Sequence, residues 1–196
     1  MSNSESISMQ DLDILREIGN IGAGNAATAL SMILNKKVWL DVPEAQLCSL
    51  TEIPEKLGGA EEVRTGIFFG VKEALKGFIF FILEDEDADK LHKVASMGLE
   101  IDINSVLSEV SNIISGAYVG AIASMINDTV DITPPEIGHD MVGSLIDSIV
   151  SVLCNVGNQA VYIKTSMNIE EETIAGYYVL MLEQDSLMKL LNYFKG

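Results

Sequence analysis

Two side chains recur together in this sequence at one fixed spacing: a glutamate, then an asparagine three residues later. The first copy reads Asp13, Glu17, Asn20 and the second Ser105, Glu109, Asn112. Corresponding residues lie 92 positions apart (112 − 20), and Gly24 and Gly116 share the offset. On a helix turning about 100° per residue, positions i, i+4 and i+7 share a face. Each copy therefore sets an acid beside a carboxamide, with a glycine one turn further on. A Glu–Asn pair holds no strong nucleophile and no base tuned near neutrality; it can bind and orient. The carboxylate can pair with a lysine of another protein, and the carboxamide can hold a water as donor and acceptor at once. Orientation matters greatly for phosphoryl transfer, whose loose transition state asks mainly for positioning and charge neutralisation. In GTPases a carboxamide already orients the attacking water. The plainer reading is two solvated side chains; it accounts for either helix alone, but less well for the shared pattern.

The elements that must position these residues are two long helices. Apolar periodicity predicts the first over residues 8–34, with Ser8 as its cap and Ile14, Ile18, Ile21, Ala29 and Met32 as a core stripe. It predicts the second over 102–126, with Val106, Val110, Ile113, Ala117 and Ala121 in the equivalent place. Both stripes aim the Glu–Asn pairs outward. Gly19, Gly22, Gly24, Gly116 and Gly120 interrupt these helices at about 1 kcal/mol each relative to alanine. Gly22 falls on the core side, where it permits close helix packing. Gly24 and Gly116 fall outside, where a missing side chain lets another molecule approach the backbone.

Strands are expected at 37–42, 45–51, 63–71, 77–83, 129–133, 159–165 and 174–182, and further helices at 85–97, 140–156 and 185–193, after a short disordered tip. The stretches 77–84 and 176–183 resemble each other at an offset of 99 (176 − 77), each a strand running into an acidic helix. Growth of the offset from 92 to 99 places about seven extra residues in the second half, most simply near 140–156. The expected fold is α+β: an internal duplication about a pseudo-twofold, with a shared antiparallel sheet and the two motif-bearing helices on one face. The repeats span about 9–99 and 101–196, and without a Pro- or Gly-rich linker between 97 and 104 they read as a single domain.

Composition bounds the function. Hydrophobic content of 48% marks a folded globular chain. A formal charge of −17, from 12 basic and 29 acidic residues, repels nucleic acid and anionic membranes and attracts a basic protein surface. Cys48 and Cys154 read as free buried thiols of a reducing cytosol, and the sparse His92 and His139 argue against a protein-bound metal. The polar, acidic start is no signal peptide, and apolar runs such as 78–83 are too short to span a bilayer, so a cytoplasmic protein is expected. Residues 22–27, G-A-G-N-A-A, imitate a dinucleotide fingerprint, but that motif needs a strand before it and here the preceding residues are helical in period. With no Ser/His/Asp or Cys/His grouping in view, hydrolysis by the chain's own nucleophile is also poorly supported.

At these residues the chain resembles the CheC/CheX/FliY phosphatases of bacterial chemotaxis. The family pattern (D/S)-x3-E-x2-N-x21-P is met from Ser105 through Glu109 and Asn112 to Pro134, and residues 17–30, EIGNIGAGNAATAL, look like the opening helix of the CheC branch. In the first copy the interval from Asn20 to Pro43 is 22 residues rather than 21. Members of the CheX type carry one centre per subunit and the FliY type adds a C-terminal switch domain; with two centres and an end at Gly196, the chain is expected to resemble the CheC branch. The resemblance implies dephosphorylation of the phosphorylated response regulator CheY. It implies that Glu17 and Glu109 bind a regulator lysine, that Asn20 and Asn112 orient the attacking water, and that Asp13 and Ser105 assist. Pro43 and Pro134 complete the motif by ending the connection that follows. No cofactor of the chain's own is implied; Mg²⁺ belongs to the regulator. The resemblance further implies binding of the receptor deamidase CheD, here around Asp147, where the bland reading is a helix that only covers core. The rival from another class is a non-catalytic adaptor that docks phosphorylated CheY or CheD.

Overall fold

The computed structural model describes residues 9–152 and 159–193. In chain order the elements are α1 (Met9–Leu34), β1 (Val38–Ser49), a 3₁₀ turn (Leu50–Glu52), α2 (Ile53–Lys56), β2 (Val63–Glu73), β3 (Gly77–Leu83), α3 (Asp85–Ala95), α4 (Ile103–Ile126), β4 (Val130–Ile132), β5 (Glu136–Met141), α5 (Val142–Val152), β6 (Gln159–Ile169), β7 (Glu172–Leu182) and α6 (Gln184–Tyr193). The fold is α+β. Every strand pairing is antiparallel, and the seven strands form one sheet in the order β1-β6-β7-β3-β2-β4, with β5 also on β2.

Alternation along the central strand explains the layering. Because successive strand residues point to opposite faces, Ile79, Phe81 and Leu83 of β3 join the core beneath α1, α3, α4 and α6. Phe80 and Ile82 face the other way, into a smaller core closed by α2 and α5. β3 is therefore buried on both sides, and α1 and α4 stand together on one face of the sheet.

What fixes the distance between those two helices is one aromatic side chain. Tyr118 of α4 is buried, lies tilted against Tyr178 of β7 at 5.0 Å between ring centroids, and hydrogen-bonds Thr165 at 3.4 Å through its hydroxyl. Burial pushes its phenol up to about 12. Gly22 of α1 lies against this ring: a Cβ there would sit 2.6 Å from Tyr118 Cδ1 and 3.0 Å from Tyr118 Cα. Close packing is thus the reason for Gly22, as its position predicts. Gly22→Leu is expected to force the helices apart at a cost of about 3 kcal/mol, the upper range for overpacking. Thermal melting should show a drop of roughly 6–12 °C; an unchanged melting temperature would show that the contact is soft.

The buried stripes differ from the expected ones. On α1 the buried line runs Leu15, Ile18, Ala23, Ala26, Leu30 and Leu34, whereas Ile21 and Met32 are 40% and 73% exposed. On α4 the expected Val106, Val110 and Ala121 are buried, but the centre of the buried face moves towards Leu107, Ile114, Tyr118 and Ile122, with Ile113 and Ala117 only half-buried. Each stripe is rotated by about one residue, roughly 100°, from the one large apolar residues suggest. The cause is that α1 packs on α4 through glycine and alanine, which a search for bulky residues passes over. The rotation leaves both Glu–Asn pairs outside.

Element boundaries shift in physically legible ways. Two strands expected at 37–42 and 45–51 are one strand, β1, interrupted by a bulge between Asp41 and Glu44. The expected helix at 140–156 begins at Val142, because residues 136–141 form β5 on the edge of β2; its end beyond 152 lies outside the described residues, as do Ser8 and Cys154. Cys48 is free and buried, and burial raises its thiol to about 11. By length and composition alone α4 is apolar enough to cross a bilayer, longer than any run singled out in the sequence. In the fold, 56% of that stretch is covered by the rest of the protein.

The prolines also sit differently from expectation. Pro43 lies inside the β1 bulge, on the edge of the sheet where a missing N–H costs no ladder bond. Pro134 lies between β4 and β5, which together line the opposite edge. Val38, Glu44 and Ser49 bound β1 and its bulge; Val130, Glu136 and Met141, each 92 residues on (130 − 38), bound β4 and β5. At that offset the counterpart of Pro43 is Pro135, which is why the first interval counts one residue more. After this point the first half has only the 3₁₀ turn and the four-residue α2, and the second has the eleven-residue α5.

Candidate functional site

Glu17 and Asn20 project from the outer face of α1, and Glu109 and Asn112 from the outer face of α4; all four are exposed. Among the described residues, none of the four side chains takes part in a hydrogen bond or ion pair. Asp13 lies one turn earlier on α1. Ser105 lies in the first turn of α4: its backbone N–H donates to the capping carboxylate of Asp102 at 3.0 Å, and its hydroxyl meets the same oxygen at 3.3 Å. That hydroxyl therefore serves the helix start, a task the sequence pattern did not disclose.

Gly24 and Gly116 open onto the same faces. A Cβ at either position would meet nothing within 4 Å. Among the described residues nothing packs against these glycines, and the helices carry them at about 1 kcal/mol each. We expect Gly24→Leu with Gly116→Leu to raise the melting temperature while weakening any partner that must approach these faces. If partner affinity and turnover were untouched, the glycines would have no role in approach.

The helices run antiparallel. Leu30, Ile33 and Leu34 of α1 share a cleft with the first half of α4, while Leu15 and Ile18 share another space with Tyr118 and Ile122. At a 1.5 Å rise per residue the two centres then stand roughly 20 Å apart along the pair. They are two separate sites on one surface. Among the described residues no three His, Cys, Asp or Glu side chains converge as metal ligands.

Asp147 is placed elsewhere. It is exposed on α5, whose Val142, Leu145, Ile146 and Ile149 pack against the opposite face of the sheet. The inner side of α5 does cover core, as the plainer reading holds, and Asp147 belongs to its outer side.

Comparison with known proteins bears on these two helices. The sequence profile of the CheC-like family matches residues 11–45 and 96–139, the segments that contain α1 and α4. The protein named CheY-P phosphatase CheC of Bacillus subtilis (strain 168) is 31% identical over 97% of this chain and 96% of its own length. The chain belongs to the CheC-like family. Among solved structures, Thermotoga maritima FliY superposes with a TM-score of 0.79 at 21% identity, covering 96% of this chain and 98% of that one. The middle domain of FliM from H. pylori follows at 0.68 and 14% identity, over 95% and 99%. These structures establish the CheC-like fold. A shared fold does not by itself give activity, which must be argued from the side chains on it.

Proposed function

We propose that this chain is a protein phosphatase that removes the phosphoryl group from the aspartyl-phosphate of the response regulator CheY. The observation that carries the reading is the doubled Glu–Asn pair, exposed and engaged by nothing among the described residues. The B. subtilis relative, named a CheY-P phosphatase, supports it along nearly the whole chain.

In each centre the glutamate pairs with a lysine of the regulator and fixes the docking angle. The asparagine then enters the regulator's pocket. Its carbonyl oxygen accepts a hydrogen bond from water, and its amide N–H₂ donates to the phosphoryl oxygens. The water oxygen attacks phosphorus in line; the bond from phosphorus to the aspartyl oxygen breaks and the carboxylate is restored. The attacking water's proton leaves with inorganic phosphate or to solvent. This chain supplies no nucleophile, so its contribution is position. Mg²⁺, when bound in the regulator, neutralises phosphoryl charge there; the chain needs no cofactor of its own. Such a protein works in the cytoplasm with its regulator.

We read the architecture as one domain of two repeats, about 9–99 and 101–196, each carrying one centre. The outer side of α5 around Asp147 we assign to the deamidase CheD, which would leave both centres open because the sheet lies between.

A phosphate-release assay tests the proposal: phosphorylated regulator alone, then with catalytic amounts of this chain. Faster release with turnover is expected. Binding without any acceleration would reduce the chain to an adaptor.

A further inference from the structure

The second centre does not stand on a bare helix. A cleft of about 260 Å³ opens between the C-terminal end of α1, the segment joining α3 to α4, and the first half of α4. Leu30 forms its floor, while Ile33, Met97 and Ile101 stand 53%, 51% and 40% exposed around it. Ser105 and Glu109 of the motif complete the wall. Three large apolar side chains around one opening form a patch that water disfavours.

The rim is also held in shape. The Leu99 N–H donates to Ser96 O at 3.0 Å, and the Ile101 carbonyl meets His92 Nε2 at 2.8 Å. A preformed rim loses little freedom when it is covered.

Resting on the phosphatase reading, we infer that this cleft receives an aliphatic or aromatic side chain of the response regulator, carried next to the lysine that pairs with Glu109. Glu109 belongs to both the centre and the cleft, so one docked surface must satisfy both at once: a cation for the carboxylate and an apolar group for the floor. A second copy of this chain fits poorly, since each carries a net charge of −17 and like charges repel. A regulator surface with a basic residue flanked by an apolar one matches on both counts. The cleft thereby selects which regulator is served, and it acts on affinity rather than on the chemical step.

The test isolates the second centre in an Asn20→Ala background. There, Ile33→Gln with Ile101→Gln should raise KM for the phosphorylated regulator roughly five- to fifty-fold, the effect of leaving one or two apolar groups uncovered, with kcat at saturation unchanged. Met97→Asn, which suits the left-handed backbone at that residue, should act in the same sense. An unchanged KM in a folded variant overturns the inference. If even the unaltered chain fails to accelerate hydrolysis, the phosphatase reading falls separately. The cleft is then judged by titration against regulator carrying beryllium fluoride in place of the phosphoryl group. A matching loss of affinity upholds it; equal affinity overturns it. A concentration-dependent dimer that the substitutions dissolve, with regulator affinity unchanged, overturns it in favour of a second copy.

Discussion

Asn20→Ala combined with Asn112→Ala is expected to return dephosphorylation of CheY-P to the regulator's own rate, a loss on the order of 10²-fold or more. The size follows from what the side chain does. Without a carboxamide, water in the regulator's pocket loses the acceptor that holds it in line and the phosphoryl oxygens lose a donor, and a misplacement of about 1 Å suffices for such a loss. Folding should not suffer. Both residues are exposed, and alanine is the better helix former by a few tenths of a kcal/mol. Because the centres are roughly 20 Å apart along the helix pair, each single variant should keep close to half the activity. Single-turnover release of phosphate, read beside circular dichroism, checks both statements. A folded double variant with full activity would remove the mechanism.

Glu17→Lys with Glu109→Lys should act on a different step. Here the carboxylate that receives a regulator lysine becomes a second cation, so KM should rise at least about tenfold per centre, with kcat at saturation nearly kept. The exposed setting adds a diagnostic. Screening between charges grows with ionic strength, so the gap between variant and parent should shrink as salt is raised toward about 1 M. Glu→Gln at the same positions removes attraction without adding repulsion and should fall between. A titration showing equal affinity for all three chains, at low salt, would mean that the glutamates do not meet a cation.

The two variants together separate binding from positioning. One centre residue sets how often the regulator arrives correctly; the other sets what happens once it has. Gly24 and Gly116 belong with the first task, and Gly22 with neither, since it faces Tyr118.

How far the chain could be read in advance depended on the kind of interaction. The pairs at i+4 and i+7 were legible because helix geometry alone brings them together, with no long-range contact required. The strand at 77–83 was legible for a similar reason: a central strand buried on both faces is apolar throughout. The stripe of α1 was not, because its partner α4 accepts glycine and alanine, and close approach between helices leaves no bulky signature. β5 was missed because an edge strand with exposed residues on a three-residue remove from β4 shows no alternation to read. Pro135 was missed as the partner of Pro43 because the 21-residue interval of the family pattern ends one residue earlier, at the adjacent Pro134.

By itself the sequence determined the two helices, the doubled Glu–Asn pair on each and the glycine beside it, since these depend only on residue type and a local 100° step. The tertiary structure alone decided that the helices run antiparallel about Tyr118, that the centres are therefore well apart, and that an apolar cleft adjoins Glu109 on α4 with residues from α1 and the α3–α4 segment. It also put α5 behind the sheet. Those facts rest on which small residues let surfaces close together and which face of each strand finds a partner, and neither is written in any single stretch of chain.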